Sequence, residues 1–244
     1  KQIVRKGGYQ YVFRHTDVAT VALDLLAAKL GGAKERIAHS HSTNAKRIWV
    51  QKLFRPFLNA VCTKRFACSE NAGKWMYGEH KPFTIIMNGV DIPAFIYNEQ
   101  ARIKLRAELG IGNNTLVLGH VGNYMPVKNH SFMIEVFSKV KQQYPDSKLL
   151  LVGDGAQRAQ MQAQINELGL ADAVILTGVR HDILNLLQAM DVFLFPSFYE
   201  GMPIALIEAQ TSGLPCFISD VITDAVCVTD DIHKLSLESG SDAW

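Results

Sequence analysis

The second half of the chain alternates between nearly continuous apolar runs and stretches whose apolar residues recur at helical spacing. The runs predict strands at 116–121, 148–153, 173–178, 191–197 and 214–219, and the stretches predict helices at 128–143, 157–168, 182–189 and 203–212. Strands that are apolar throughout are typical of strands covered on both faces. Strict alternation of strand and helix predicts an α/β fold with a parallel, doubly wound sheet, in which ligands bind at the carboxyl ends of the strands.

The first half is less regular, and its pattern predicts a separate domain. The predicted elements are a helix at 17–30, a strand at 36–42, a helix at 44–60, a strand within 60–69, a helix at 71–78 and a strand within 83–91. A polar connector at 92–115, with a helical piece around 99–109, joins the halves. We therefore expect domains at 1–91 and 116–244.

Charge divides the chain in a similar way. The formal net charge is only +2, but residues 1–81 hold 15 Lys/Arg against 5 Asp/Glu, whereas residues 82–244 hold 10 against 18. This asymmetry indicates either a basic domain that faces an anionic lipid or substrate, or a basic surface that is only solvated. Because the predicted helix at 44–60 is basic and amphipathic, it is a candidate for peripheral contact with an anionic membrane.

The lengths of the apolar runs and the spacing of the cysteines indicate where in the cell the chain is expected. No apolar run reaches the roughly 18–20 residues that span a bilayer. None of the four cysteines is spaced as C-x-x-C or lies beside a histidine at zinc spacing. Reduced thiols in the cytoplasm are the expected consequence, with the inner face of the membrane as a candidate location. The chain begins at Lys1 without an initiator methionine, and we expect it to be trimmed at both ends.

Candidate chemistry follows the strands of the second half. Lys128 opens a helix, where unpaired N–H groups and the helix dipole favour phosphate, and its ammonium group could neutralise a diphosphate. The alternative is a lysine in water. The runs GDG at 153–155 and GVR at 178–180 follow the next two strands. Their glycines allow close approach of a ligand, but strand-to-helix turns use such residues for geometry alone as well.

Two glutamates mark the loop and helix after the fourth strand. Glu200 precedes Gly201 and Pro203, which are typical of a helix start, and Glu208 follows about two helical turns later on an apolar helix. A carboxylate there needs a partner, and a pair of ligand hydroxyls would satisfy it. The alternative is that Glu208 faces solvent.

Two histidines end a strand of the first half. The i, i+2 spacing of His39 and His41 puts both side chains on one face of an extended chain. A metal site needs a third ligand, and the sequence indicates none nearby. A structural role for the histidines is the alternative.

Taken together, these segments resemble the retaining, family 4 glycosyltransferases with the GT-B fold. The run FYEGMPIALIEA matches that family's E-x7-E motif, and HSHS, ACSE, NGVD, VGN…KNH, LVGDG and TG occur in the family's order. The likeness covers nearly the whole chain and is greatest to enzymes of capsule and exopolysaccharide synthesis. It implies two Rossmann-like domains with parallel, doubly wound sheets: an incomplete acceptor-side domain at 1–91 and a domain at 116–244 that binds the donor nucleotide.

The resemblance also implies roles for residues of this chain. Glu200 would hold the donor sugar, Glu208 the ribose hydroxyls and Lys128 the diphosphate, while His41 would lie near the reaction centre. The donor site that the resemblance implies consists of Asn123, Lys128, Gly153, Asp154, Gly178, Val179, Arg180, Glu200, Gly201, Met202, Pro203 and Glu208. Glu200, His41 and Lys128 would be its catalytic residues.

The implied reaction moves a sugar, with retention, from a nucleotide-diphosphate sugar, most commonly a UDP-sugar, to a glycan or lipid-linked acceptor. The resemblance implies no metal or other cofactor and no nucleic-acid partner. One departure concerns Asn123, which stands where many family members have an arginine, so Lys128 would neutralise more of the diphosphate, or Arg180 or Lys46 would help. The alternatives are a sugar-nucleotide epimerase or hydrolase on the same fold, and a non-catalytic subunit that binds sugar nucleotides.

Overall fold

The computed structural model describes residues 1–42 and 47–244, which form two compact units, Lys1–Asn88 and Gly89–Trp244. We refer to them as unit 1 and unit 2. The two helices within the predicted connector belong to unit 2. No helix in the described ranges is both long enough and apolar enough to cross a membrane.

Unit 1 is built on a parallel sheet. Its described elements are α1 Gln2–Gly7, β1 Tyr11–Thr16, α2 Ala22–Lys29, β2 Glu35–Ser40, α3 Ile48–Val61, β3 Lys64–Ala67, α4 Glu70–Tyr77 and β4 Thr84–Ile85. The strand order is β1-β2-β3-β4, and every neighbouring pair is parallel. Helices and strands predicted between residues 17 and 91 are confirmed, although the start of the helix predicted at 44–60 falls on residues 43–46, outside the described part.

Strand β1 was not predicted, because its side chains do not show the buried pattern of a core strand. Most of its residues are exposed, including Tyr11 and Phe13. It pairs in register with β2 along its whole length, so that His15 lies opposite His39. The missed strand brings a histidine beside the predicted pair.

The core of unit 1 holds the helices against the sheet. Leu25 of α2, Leu58 of α3 and Met76 of α4 are fully buried together. The buried Tyr77 hydroxyl donates to the carbonyl oxygens of Ala38 and Phe66 at 2.8 and 2.9 Å, which ties the end of α4 to two strands. Burial of side chains of this size contributes roughly 1.5–3 kcal/mol each.

Unit 2 contains the regular alternation that the apolar pattern predicts. Its described elements are α5 Ile92–Phe95, α6 Glu99–Glu108, β5 Leu116–Val121, α7 His130–Gln143, β6 Ser147–Val152, α8 Arg158–Glu167, β7 Val174–Leu176, α9 Ile183–Ala189, β8 Val192–Phe195, α10 Ile204–Thr211, β9 Cys216–Ser219 and β10 Ile232–Leu235. All strands pair in parallel in the order β10-β9-β8-β5-β6-β7. The predicted class, parallel doubly wound α/β, is confirmed, and β10 adds a strand that the apolar pattern did not reveal.

The strand order places a switch point beside β5. Strand β5 pairs with β6 on one side and with β8 on the other. Chain connections leave in opposite directions from such a point, and a crevice opens at the carboxyl ends of its strands. The loops that follow β5, β6, β7 and β8 are therefore the expected walls of a ligand site.

A buried ionic network fixes α6 to this sheet. Arg106, which is only 1% exposed, donates to Asp191 at 2.6 Å, and Asp191 also accepts from the Val117 backbone N–H at 2.8 Å. Arg102 adds a second ion pair to the same carboxylate. Because each buried charge has a partner, the network orients the helix without leaving an unpaired charge in the core.

Candidate functional site

A cavity of about 320 Å³ lies at the carboxyl ends of the unit 2 strands, where the switch point predicts it. It is lined by Val121, Gly122, Asn123, Lys128, Val152, Gly153, Val179, Arg180, Ile183, Pro203, Ile204 and Ala205. Six residues predicted for a donor site are among them: Asn123, Lys128, Gly153, Val179, Arg180 and Pro203. The structure thus places these six residues around one cavity, and their roles stay predictions.

Lys128, which lines this cavity, forms an ion pair with Glu200. The Lys128 Nζ donates to Glu200 Oε1 at 2.7 Å, and the two side chains are only 18% and 15% exposed. The ammonium group also lies 5.1 Å from the centre of the Phe195 ring. The Phe198 N–H donates to the Val127 carbonyl at 2.9 Å, which holds the loop after β8 against the turn after β5. The cation predicted for phosphate and the carboxylate predicted for sugar therefore contact each other.

Glu208 differs from Glu200 in having no such partner. It lies half-buried on α10, and burial raises the pKa of its carboxyl group. Among residues 1–42 and 47–244, no side chain or backbone group bonds to this carboxylate. Helix α10 begins after Pro203 without a side-chain cap on its N-terminal N–H groups. A ligand with hydroxyl groups and negative charge would satisfy both features.

Gly201 and Met202 lie in the loop between Glu200 and α10, where the sequence places them. Both are half-buried, and the Met202 side chain packs against the apolar core of unit 2. Contacts of their backbones with a sugar stay a prediction.

Arg180 lines the cavity, but its charge is already neutralised. Its guanidinium group donates to both Asp182 oxygens, at 2.7 and 2.6 Å, and to Glu108 at 3.1 and 3.2 Å. The hydrogen bonds to Asp182 and Glu108 raise the pKa of Arg180 further above its usual range. The hypothesis that Arg180 compensates for Asn123 therefore requires that these bonds exchange, and Lys46, the other candidate, lies outside the described residues.

The glycine turns have a structural reason of their own. Gly153 adopts a φ of 139°, and a Cβ there would lie 2.1 Å from the Gly122 carbonyl oxygen. Its N–H donates to the carbonyl of Gly178, which also has a positive φ of 74°. Asp154 is exposed, accepts from the Gly155 N–H at 2.8 Å and does not line the cavity. Close backbone packing thus accounts for Gly153 and the positive φ for Gly178, and a ligand role for Asp154 and Gly178 stays a prediction.

Two buried histidines that the sequence did not single out lie beneath Lys128. His120 and His130 are fully or almost fully buried with their rings at right angles, 5.2 Å apart. Burial, then the nearby Lys128 charge, lowers the pKa of His130 to about 4, and burial lowers the pKa of His120 well below its usual range. Both rings are therefore neutral near pH 7. The residues that flank His120 are apolar, so the sequence gave no sign that this histidine is buried beneath Lys128.

A larger cavity of about 450 Å³ in unit 2 lies between α7 and one face of the sheet. Most of its walls are apolar, and its charged side chains Lys139 and Asp242 pair with each other at 2.9 Å. The smaller cavity is instead lined by Lys128 and by the uncapped start of α10, so it is the better candidate for chemistry.

In unit 1, the predicted His41 belongs to a group of three histidines. One ring nitrogen from each of His15, His39 and His41 lies within 4.8 Å of the other two. The expectation that His39 and His41 have no third histidine nearby is wrong, because parallel pairing of β1 and β2 supplies His15. Reading YVFRHT as a strand would have revealed it. Burial, followed by the neighbouring histidines, lowers the pKa of His39 and of His41.

Comparisons with known proteins agree with this geometry. The chain is 35% identical to a protein named as glycosyltransferase EpsF of Bacillus subtilis, over 99% of this chain and 66% of that protein. It is 31% identical to the UDP-Gal:alpha-D-GlcNAc-diphosphoundecaprenol alpha-1,3-galactosyltransferase of Escherichia coli, over 97% of this chain and 64% of the enzyme. The chain thus spans about two thirds of the length of these relatives.

Solved structures share the fold. The Anabaena protein HepE, in its complex with UDP-glucose, superposes with a TM-score of 0.82 at 22% identity, over 96% of this chain and 66% of HepE. WaaG, described as a glycosyltransferase of lipopolysaccharide biosynthesis, superposes with a TM-score of 0.71 at 19% identity, over 91% of this chain and 70% of WaaG. This likeness confirms the predicted GT-B fold class.

A match to a family of sequences shows the family of this chain. Residues 101–243, more than half of the chain and nearly all of unit 2, match the family described as glycosyl transferases group 1. That span includes the candidate cavity, the Lys128–Glu200 pair and Glu208. The chain belongs to the glycosyl transferases group 1 family.

Proposed function

We propose that this chain is the donor-binding part of a retaining enzyme that transfers a sugar from a nucleotide-diphosphate sugar to a glycan or lipid-linked acceptor. The observation that carries the proposal is the Lys128–Glu200 ion pair, 2.7 Å long, at a cavity formed by the carboxyl ends of parallel strands and the uncapped start of α10. Such a place stabilises phosphate through both a mobile cation and helix N–H groups.

Donor binding would exchange the partners of this ion pair. An incoming diphosphate offers Lys128 a doubly charged partner, and Glu200 is then free to accept hydrogen bonds from sugar hydroxyls. Charge that develops on the departing diphosphate would be met by Lys128 and by α10. Glu208, whose carboxylate has no partner in the described part of the chain, would accept from the two ribose hydroxyls. In this scheme the transfer uses no metal ion.

UDP is the nucleotide that we propose for the donor. The galactosyltransferase relative is named for UDP-Gal, and the HepE structures contain UDP, UDP with glucose or UDP-glucose. Two more distant relatives are named as GDP-mannose-dependent enzymes, so GDP is the competing nucleotide. A thermal-shift panel of UDP-, GDP- and ADP-sugars would separate them: the largest rise in melting temperature should come from a UDP-sugar.

A lipid-linked acceptor fits the surface of unit 1. The galactosyltransferase relative is named for a diphosphoundecaprenol acceptor. Helix α3 exposes Ile48, Trp49 and Leu53, at 50–65% of their areas, beside the exposed Lys52. An apolar face with cations at its side is typical of helices that lie in a membrane interface. We propose that unit 1 contacts an anionic membrane. Vesicle flotation tests this: the chain should float with anionic but not with neutral vesicles. The double variant Trp49→Ser/Leu53→Ser should abolish the flotation.

The transfer proposal is tested by two variants of the ion pair. Glu200→Gln keeps the shape of the side chain but removes the charge, and Lys128→Ala removes the cation. Each should lower sugar transfer at least about 100-fold, because each removes a charged contact to the reacting group. Glu167→Gln, an exposed change on α8, is the matched control and should leave transfer unchanged. Near-normal turnover in both ion-pair variants contradicts the proposal.

Product analysis separates the alternatives. Transfer to an acceptor, with no change in the donor when the acceptor is absent, supports a transferase. A free sugar or an epimerised nucleotide sugar without acceptor indicates an epimerase or hydrolase. Saturable donor binding without any turnover indicates the non-catalytic subunit that Asn123 would suggest.

A further inference from the structure

The three histidines of unit 1 converge at one edge of its sheet. His15 on β1 and His39 on β2 are register partners, and His41 follows two residues after His39 on the same face. The His41 N–H donates to the Thr16 carbonyl at 3.2 Å, which continues the strand pairing past the end of β2 and holds His41 beside His15. Backbone pairing of two strands, and not chance side-chain contact, thus places all three rings.

The distances suit a single shared ion. His15 Nδ1 and His41 Nε2 are 2.7 Å apart, and the three ligand nitrogens all lie within 4.8 Å of one another. In a tetrahedral zinc site, Zn–N bonds of 2.0–2.1 Å put ligand nitrogens about 3.3 Å apart. The distance of 2.7 Å is shorter than that value, and 4.8 Å is the upper limit for the other separations. Because the His15 side chain is exposed, a small rotation of its ring can adjust them.

The surroundings of the rings are those that metal-binding histidines use. The His39 Nε2 lies 3.1 Å from the Ile86 carbonyl, which can only accept, so Nε2 carries the proton and Nδ1 keeps its lone pair for a ligand. His41 is hydrogen-bonded to the side chain of Asn88. Such outer hydrogen bonds fix the tautomer and the ring orientation of metal ligands. Phe13 and Phe66 pack 6.0 and 6.3 Å from the His39 ring and give the site an apolar floor.

We propose that His15, His39 and His41 form a binding site for a zinc-class divalent ion. Imidazole nitrogens are preferred ligands of Zn²⁺, and three protein ligands with an open fourth position are typical of sites that bind a water molecule or substrate. His39 forms the buried base of the site and His15 its exposed rim. The proposal does not rest on the transfer reaction, for which we propose no metal.

The test measures binding of Zn²⁺ to the 244-residue chain, purified without a histidine tag and stripped with a chelator. Competition with a chromogenic zinc indicator gives the affinity and stoichiometry, and Co²⁺ gives a visible spectrum that reports the ligands. His15→Ala and His41→Ala each remove one ligand, and His80→Ala, an exposed histidine of unit 1, is the matched control. Circular dichroism of each variant checks that it is folded.

The expected result is one Zn²⁺ per chain, bound at least about 100-fold more weakly in His15→Ala and in His41→Ala, since loss of even an outer-shell partner costs 10–100-fold. His80→Ala should bind like the parent chain. Zn²⁺ should also raise the melting temperature of the parent but not of His15→Ala. Absence of saturable binding, undiminished affinity in His15→Ala, or a cobalt–thiolate charge-transfer band, which would assign the ion to cysteines, overturns the proposal. No donor is present, so this outcome is independent of the transfer reaction.

Discussion

Two kinds of loop meet at the carboxyl edge of the unit 2 sheet, and they hold their shape by different means. The glycine loops at 153–155 and 178–180 pack backbone against backbone, with Gly153 against the Gly122 carbonyl. The charged loops at 126–128 and 196–203 are held by one hydrogen bond between backbones and by the Lys128–Glu200 pair. The glycine loops are fixed by geometry and cannot rearrange cheaply, whereas the charged loops can exchange partners when a ligand enters.

The most damaging change should be a methyl group in the glycine loops. Gly153→Ala places a Cβ 2.1 Å from a backbone oxygen at a φ of 139°, so we expect unit 2 to lose about 3–4 kcal/mol of stability. Urea denaturation measures this loss. Gly169→Ala is the matched control, because its φ is also positive, 68°, but its Cβ meets open space; it should cost only about 1–2 kcal/mol. Equal losses would show that packing between the loops contributes nothing.

Beneath the charged loops, acid should weaken unit 2 through His130. Its pKa is about 4 in the folded chain but about 6.5 when unfolded. Between these values the unfolded state binds more protons, so stability is fully present above pH 6.5 and falls as the pH falls, by on the order of 3 kcal/mol near pH 4. Urea titrations at several pH values measure the slope.

His130→Phe sharpens this test, since neither ring nitrogen of His130 has a partner among the described residues. In the variant, the slope of the unfolding free energy against pH should correspond to the uptake of up to about one proton fewer on unfolding. His181→Ala, an exposed histidine, should leave the slope unchanged. A slope that persists in full in His130→Phe would assign the acid sensitivity to other groups.

Glu208→Gln should have opposite effects on stability and on binding. Removing a half-buried charge that has no partner should raise the melting temperature slightly. Loss of the charge should weaken UDP binding about tenfold, because a neutral amide oxygen is the poorer acceptor for two hydroxyls. Calorimetry of thermal unfolding and of UDP binding measures the two effects, with Glu167→Gln on the exposed face of α8 as control. A loss of stability together with unchanged UDP binding would mean that Glu208 has a structural role only.

The sequence predicted much of unit 2 because its strands are buried on both faces and so appear as apolar runs. Leu149, Leu150 and Leu151 of β6 are all fully buried. Residues placed after such strands, Lys128 and Pro203 among them, could be assigned to the cavity from order alone.

What the sequence could not reveal depends on side chains that meet across the fold. Strand β1 is mostly exposed, so no apolar run marks it, and His15 was missed with it. The partner of Glu200 is 72 residues away in the chain and that of Arg180 includes Glu108 at the same separation. Local periodicity carries no information about such pairs, which determine whether a charge is available to a ligand.

The central claim, that Lys128 leaves Glu200 to hold a donor diphosphate, is tested most directly by comparing UDP with uridine. Isothermal titration of each into the parent chain and into Lys128→Met separates contacts to phosphate from contacts to the nucleoside. A charged contact to phosphate is worth about 1.5–3 kcal/mol, so Lys128→Met should weaken UDP about 10- to 100-fold and leave uridine unchanged. An equal loss for both ligands, or undiminished UDP binding, would contradict the account.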